Sequence, residues 1–415
     1  MRLSTAVDSP FLAPGEFAQR CSDLSLRAEA VLRRAVAARA APNHQKTMRL
    51  LSTREVAAWI GTEPTTILKA VDDMGGDIGD TGPRNGKLFT SEELHRIRDY
   101  FITHRRGGVG RYSNRKADGT DGIVVAISNF KGGVGKTTHG MHLAEYLALR
   151  GFRVLAVDLD PQATLTSLFG NSPDQDFVDD FDVGRFQTIY GVMSTAVDSV
   201  LPLARQSHIH GLDYIPANSD LQRSEFELPV LHMKQESAPV FSLLHDALRE
   251  AKREYDVIVM DCPPSLNYAT INACFSSDLL FVPLSAHMYD FASTGRYLAM
   301  LADTVNVLET VADRSVDIGM IKVFLTRFDP NDNNQQIIAQ LLQHEYADTL
   351  LEVAMVRTTI LDYAGAWMDT IYGATDYTNK KSYDRARESM DELNAEFERI
   401  IIGLRDHRLN GRVAA

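Results

Sequence analysis

The sequence predicts an α/β protein: a doubly wound, mostly parallel sheet preceded by a small helical domain built on a winged helix-turn-helix. Three observations predict it. From residue 122 onward, short apolar runs alternate with longer helix-like stretches. One glycine-rich segment, residues 131–138, joins such a run directly to such a stretch. Ahead of residue 122, two short segments with apolar faces meet at Gly61, and Pro64 opens the second.

Length and composition agree. At 415 residues the chain exceeds one core, and 44% hydrophobic with 24% charged residues is the balance of a folded globular protein. No apolar stretch nears the roughly 18 residues of a membrane span. Asp8 and Pro10 interrupt the N-terminus where a signal peptide would be apolar. Three cysteines without paired spacing, Cys21, Cys262 and Cys274, point to a reducing cytoplasm. The net charge of −12 is uneven: residues 1–122 hold 19 Lys and Arg against 15 Asp and Glu, the remainder 24 against 40. A basic head on an acidic body implies two domains with different partners.

The first unit is residues 1–45. Leu24, Ala28, Val31, Leu32, Ala35 and Val36 recur at three- and four-residue steps with no internal Gly or Pro. That predicts an amphipathic helix that docks on its own domain or pairs with a second copy, stopped at Pro42 and Asn43. Residues 46–103 form the second unit. Ser52 and Glu55 have the spacing of a capping box, and Gly61 ends the short helix they open. The next helix presents Thr65, Thr66 and Lys69, candidate DNA contacts because the second helix of this motif enters the major groove. The glycine-rich run 75–87 reads as a wing ending at Lys87, a further candidate contact. Thr90 to Glu93 caps a last helix. The segment resembles the winged helix-turn-helix of MerR-like regulators. Residues 104–121, basic and without periodicity, read as a linker.

Residues 122–415 form the third unit. IVVAISN, RVLAVDLD, DYIPA, DVIVMD, LLFVPL and GMIKVFLTRFD read as buried strands, with helices over 138–150 and 241–254. The polar stretch 171–198 reads as a loop excursion.

A strand, a Gly-rich turn and a helix in that order make a phosphate loop. Gly132, Gly133 and Gly135, with Val134 between them, let backbone N–H groups curl around anionic oxygens, and the helix start adds partial positive charge. Lys136 reaches the β- and γ-phosphates of ATP, or the β-phosphate of ADP, the Thr137 hydroxyl ligates Mg²⁺, and Thr138 completes the motif. Phe130 stands where the usual motif has its first glycine, and Lys131 precedes the double glycine instead. Two further strands end in acids: Asp158 with Asp160, and Asp261 followed by Cys262 and Pro263. Ligands of open α/β sheets bind at the carboxyl ends of strands, so these acids should converge on the loop. Asp261 suits holding Mg²⁺, Asp160 positioning the attacking water, and Asp158 supporting the metal shell.

KGGVGKTT, VLAVDLDPQ and DVIVMDCPPS together resemble the ParA/MinD family of deviant-Walker ATPases. LTRFDPNDNNQQ and DFAST resemble the RepA partition ATPases of RepABC replicons. The resemblance implies an ATP-sandwich homodimer in which Lys131 reaches across to the partner's phosphates. It makes Asp160 the catalytic switch aspartate, joining Lys131 and Lys136 as the catalytic set, and Asp261 the Walker-B acid. It sets Thr326 and Arg327 where the family contacts adenine, and Pro263 beside the nucleotide. It also implies autorepression through operator DNA, non-specific DNA binding with Arg357 as the candidate, a ParB-type centromere-binding partner that stimulates hydrolysis, and a cytoplasmic, nucleoid-associated location.

Three alternatives share parts of this pattern. A MinD-like membrane-cycling protein would end in a basic amphipathic helix. Residues 391–405 place Leu393, Phe397, Ile400, Ile401 and Leu404 on one face, but Asp391, Glu392, Glu396 and Glu398 lie in the first half, and no membrane is expected. An iron-protein-like reductase would need a second cysteine placed like Cys274. A nucleotide-responsive repressor keeps both domains and drops the motor.

Overall fold

The computed structural model describes residues 46–82, 86–180, 182–234, 240–312, 316, 318–366, 368–375 and 379–413, with residues 19, 23, 27, 30 and 31 of the N-terminal segment. The chain divides into two compact units, Met1–Lys46 and Thr47–Ala415. In the first, residues 19, 23, 27, 30 and 31 are helical and Lys46 is not, and apart from Val31 the predicted stripe lies outside the described residues.

The second unit begins with β1 (Leu51–Ser52), the helices Thr53–Ile60 and Pro64–Asp73, β2 (Asp80–Thr81), β3 (Lys87–Phe89) and the helix Ser91–His104. Both predicted caps form: Ser52 with Glu55, and Thr90 with Glu93, exchange side-chain and backbone hydrogen bonds. Gly61, at φ 78°, ends the first helix in the left-handed conformation that glycine adopts without strain. The predicted wing is the antiparallel β2–β3 pair, with Asp80 opposite Leu88. Val56, Ile67, Val71, Phe89, Leu94 and Phe101 fill the core between them.

Residues 104–121 do more than tether. Gly108–Tyr112 is a short helix, and Tyr112 is buried against Phe101 with ring centroids 5.2 Å apart. The backbone N–H of Lys116 donates to Asp256 at 2.9 Å, and its ammonium donates to Thr120 O and Arg253 O. Composition alone reads as a linker here because these partners lie far along the chain.

The main sheet contains β4 (Ile123–Ile127), β5 (Val154–Asp158), β6 (Arg205–Gln206), β7 (Leu212–Ile215), β8 (Val257–Asp261), β9 (Leu279–Ser285) and β10 (Met320–Thr326). Their order is β10-β9-β4-β8-β5-β7-β6, parallel throughout except for the short edge strand β6. Every residue of β4, β5, β8 and β9 is buried, which is why those runs are apolar up to the Asp158, Asp261 and Ser285 that end β5, β8 and β9. The helix read over 241–254 is two turns of helix, Leu243–Ala247 and Ala251–Glu254. Val200 N–H takes the Ala247 carbonyl that the helical ladder would use. The last helix, Lys380–Val413, turns Leu393, Phe397, Ile401 and Leu404 into the core, so its apolar stripe is already covered.

Candidate functional site

The carboxyl edge of the sheet gathers the predicted residues. β4 ends at Ile127, and Ser128 and Asn129 anchor the glycine-rich loop from below. The Ser128 and Tyr297 hydroxyls are 2.7 Å apart. Asn129 donates to Pro283 O at 2.7 Å and accepts from the Lys131 N–H at 3.1 Å. Gly133 and Gly135 lie at φ 76° and 90°, where a Cβ would be strained. Thr326, fully buried, donates its hydroxyl to Val134 O at 3.0 Å, and Arg327 reaches Gly133 O at 3.3 Å. The loop's carbonyls are thus held from behind. No N–H from Gly132 to Gly135 donates a hydrogen bond within the described residues. That is an anion cradle at the start of the helix Lys136–Leu149.

Lys136 is 7% exposed, with its ammonium 3.1 Å from Lys131 O. Burial pushes its pKa down, and the nearby Asp261 offsets part of that. Thr138 stands in the first turn of the helix, and its carbonyl lies 2.6 Å from His142 Nδ1.

The acids arrive through strand register. Asp158 and Asp261 are direct partners across β5 and β8, and Ile127 is the partner of Asp261 across β4. Asp158 is fully clamped: it accepts from Asp160 N–H at 3.1 Å, Thr166 N–H at 2.9 Å and the Thr166 hydroxyl at 2.7 Å. Burial still raises its pKa to about 7. Asp261 has both carboxylate oxygens buried without a hydrogen-bond partner of normal geometry. Burial first, then the Asp158 charge, holds its pKa well above the ordinary carboxylate range, while the Thr137 hydroxyl and Lys136 pull it down. Asp160 is partly exposed and holds the Gln162 N–H at 2.9 Å. Pro263 is buried immediately after β8.

A buried, unpartnered carboxylate facing a threonine hydroxyl fits Mg²⁺, which takes hard oxygen ligands and keeps several waters. The described residues contain no cluster of three metal-ligating side chains. The remaining ligands therefore have to be phosphate and water, as a phosphate loop requires.

Lys131 extends away from this cradle, its ammonium 3.5 Å from Asp290 Oδ1. Both line a cleft of about 350 Å³ with Gly132, Gly133, Arg327 and Arg357. Arg357, read from the sequence as a DNA contact, therefore stands on the rim of the loop's own cleft. The other DNA candidates lie on the helix Pro64–Asp73 and on β3. Thr65 and Lys69 are exposed and Thr66 half-buried on Pro64–Asp73. The Lys87 ammonium is tied to Gly76 O at 3.0 Å and Ile78 O at 2.8 Å, which closes the wing. Sequence reasoning missed Asn129, Thr166 and Asp290. Only Asp290 had a signal, its place in the DFAST run.

The two described cysteines give cysteine chemistry no footing. Cys262 and Cys274 are free and buried, and burial pushes the Cys274 thiol up to about 12. Cys21 lies outside the described residues. No helix among the described residues is long and apolar enough to cross a membrane.

A family model described as an AAA domain matches residues 122–318. The putative replication protein A of Sinorhizobium fredii is 31% identical over 365 residues, 87% of this chain and 88% of the relative. The chromosome partitioning protein ParA of Myxococcus xanthus is 31% identical over 259 residues, 62% of this chain and 83% of the relative. A solved partition protein shares the fold with a TM-score of 0.62 at 18% identity, covering 94% of this chain and 99% of that one.

Proposed function

Because the chain belongs to the family of partition ATPases that includes ParA and the putative replication proteins A, we propose that it is a DNA-partitioning ATPase that pairs on ATP and Mg²⁺. One observation carries the reading: strand register brings Asp158 and Asp261 together beside the loop that holds Lys136 and Thr137.

The loop N–H groups and Lys136 bind the β- and γ-phosphates of ATP, and ADP after hydrolysis. Thr137 and Asp261 hold Mg²⁺, which neutralises phosphate charge when bound. Asp160, partly exposed at the mouth, aligns the attacking water, and Asp158 fixes the backbone of Asp160 through its N–H. Lys131 crosses to the partner's phosphates once its pair with Asp290 opens. Phe130, Met288 and Tyr289 flank that pair with exposed apolar surface, as a dimer face requires. Thr326, Arg327 and Pro263 border the nucleotide, and Arg357, on the rim of the same cleft, is the candidate for non-specific DNA binding.

Thr65, Thr66 and Lys69 contact operator DNA in autorepression, and the ATP-bound dimer also binds DNA without sequence preference. A ParB-type protein stimulates hydrolysis, and the protein works at the nucleoid. The buried stripe of the last helix disfavours membrane cycling. The test is segregation of a plasmid carrying the gene together with ATP turnover. Lys136→Ala and Asp160→Ala should each abolish both, and stable inheritance with either variant would sink the motor.

A further inference from the structure

The helix Lys136–Leu149 starts at the phosphate loop and runs 14 residues, about 21 Å at the usual rise. At its far end stands Arg98, from the helix Ser91–His104 of the helix-turn-helix. One nitrogen of Arg98, Nη2, donates both to Leu149 O at 2.8 Å and to Trp59 O at 2.9 Å. Leu149 ends the phosphate-loop helix, and Trp59 lies in the last turn of Thr53–Ile60, just ahead of the helix that carries Thr65 and Lys69.

The guanidinium is 3% exposed and forms no ion pair among the described residues. Its charge is offset by the partial negative ends of two helices. A buried cation held this way is a poor source of stability, because an apolar side chain of similar length would avoid its desolvation cost. What it supplies is a defined distance between two helix ends. The surroundings keep that distance rigid. Arg150 adds a second donor to Trp59 O at 3.3 Å while its Nε holds Glu398. The Trp59 ring packs edge-on to Tyr146 of the phosphate-loop helix, with centroids 5.4 Å apart. At Gly151 a Cβ would come within 2.1 Å of an Arg98 nitrogen, so the turn after the helix leaves space for the guanidinium.

We propose that Arg98 is a positioning residue that joins the phosphate-loop helix to the helix-turn-helix, so that the DNA-facing helix answers to what the loop binds. A shift of the loop helix on binding nucleotide carries Leu149 O with it. Arg98 passes that shift to Trp59 O, and Gly61, bonded back to Ala57 O at 2.9 Å, passes it to Pro64–Asp73. The inference rests on the proposed nucleotide and DNA functions of the chain.

Hydrogen exchange on the full chain, with Mg²⁺ and a non-hydrolysable ATP analogue, with Mg²⁺ and ADP, and with neither, tests it. In the wild type, nucleotide should change protection over 136–149 and also over 59–73. In Arg98→Met the first response should persist and the second vanish, while ATP affinity stays within about two-fold. Arg98→Lys, which keeps the charge but not the planar fork, should retain part of the second response and serves where the methionine variant does not fold. Affinity for a duplex from upstream of the coding sequence should depend on nucleotide in the wild type and lose that dependence in Arg98→Met. Residues 59–73 unmoved in the wild type while 136–149 responds, or an unchanged response in Arg98→Met, overturns the inference alone. No response at 136–149 in the wild type removes the nucleotide site and the inference with it.

Discussion

The Nζ of Lys131 stands 3.5 Å from Oδ1 of Asp290, 159 residues further along the same chain. The lysine that the family resemblance sends across a dimer is held within its own chain by the first turn of the helix Met288–Ala312. Freeing it should favour pairing. Because Lys131 is nearly half exposed, the ion pair is worth at most ~1 kcal/mol. One pair opens in each of the two protomers, so Asp290→Asn should raise ATP-dependent self-association up to about 30-fold. Sedimentation equilibrium with the ATP analogue measures this, and weaker association would mean that Asp290 guides Lys131 instead of restraining it.

Lys136 offers the sharper test of the cradle. Its removal deletes a charged partner of the phosphates, worth about 2 kcal/mol or more, so Lys136→Ala should weaken ATP binding at least about 30-fold. Calorimetric titration reads this directly. The circular dichroism spectrum should not change, because the ammonium's hydrogen bond within the protein is to Lys131 O, in the loop itself.

Asp158 and Asp261 predict a pH dependence of stability without nucleotide. Both carboxyls have folded-state pKa values raised by burial, to about 7 for Asp158. The unfolded chain loses these protons near pH 4, before the folded one does, so each neutral form stabilises fully below that pH. Stability should fall as pH rises from about 4 to 7. Asp261→Asn removes the second charge without disturbing a hydrogen bond of normal geometry. It should raise the nucleotide-free melting temperature at pH 8 by a few degrees, with little change at pH 4. The same variant should lose Mg²⁺-dependent ATP hydrolysis. A melting temperature lowered at pH 8 would contradict the assignment.

Lys69 and Lys87 should separate by phenotype. Lys69 is exposed on the second helix of the helix-turn-helix, so Lys69→Ala should weaken duplex binding and reduce the salt slope by about 1. Lys87 ties two wing carbonyls, so Lys87→Ala should lower thermal stability before it changes the slope. Fluorescence anisotropy across a salt series, paired with thermal melts, distinguishes them. Identical slopes for Lys69→Ala and the wild type would remove this helix from the DNA face.

Local rules made much of this legible in advance. Ser52 with Glu55 and Thr90 with Glu93 form caps because capping needs only three residues of spacing and a helix behind it. The strands that end at Asp158 and Asp261 are visible because a sheet covered on both faces leaves little place for polar residues before the strand ends. Residues 104–121 misled, since Lys116 finds Asp256 across 140 positions and no local signal marks that pairing. Thr166 escaped notice for the opposite reason: a single threonine eight residues from an acid is ordinary until the chain turns it back.

By itself the sequence determined the phosphate loop, the strand ends that carry acids, and the caps and Gly61 turn of the helices ahead of residue 104. Backbone freedom at glycine, capping and side-chain periodicity all act within a few residues. Only the tertiary structure decided that Asp158 and Asp261 are register partners, that Asp290 holds Lys131, and that Arg98 joins Trp59 to Leu149. Those relations depend on how strands align and helices pack across tens to hundreds of residues, where burial fixes distances that no local spacing encodes.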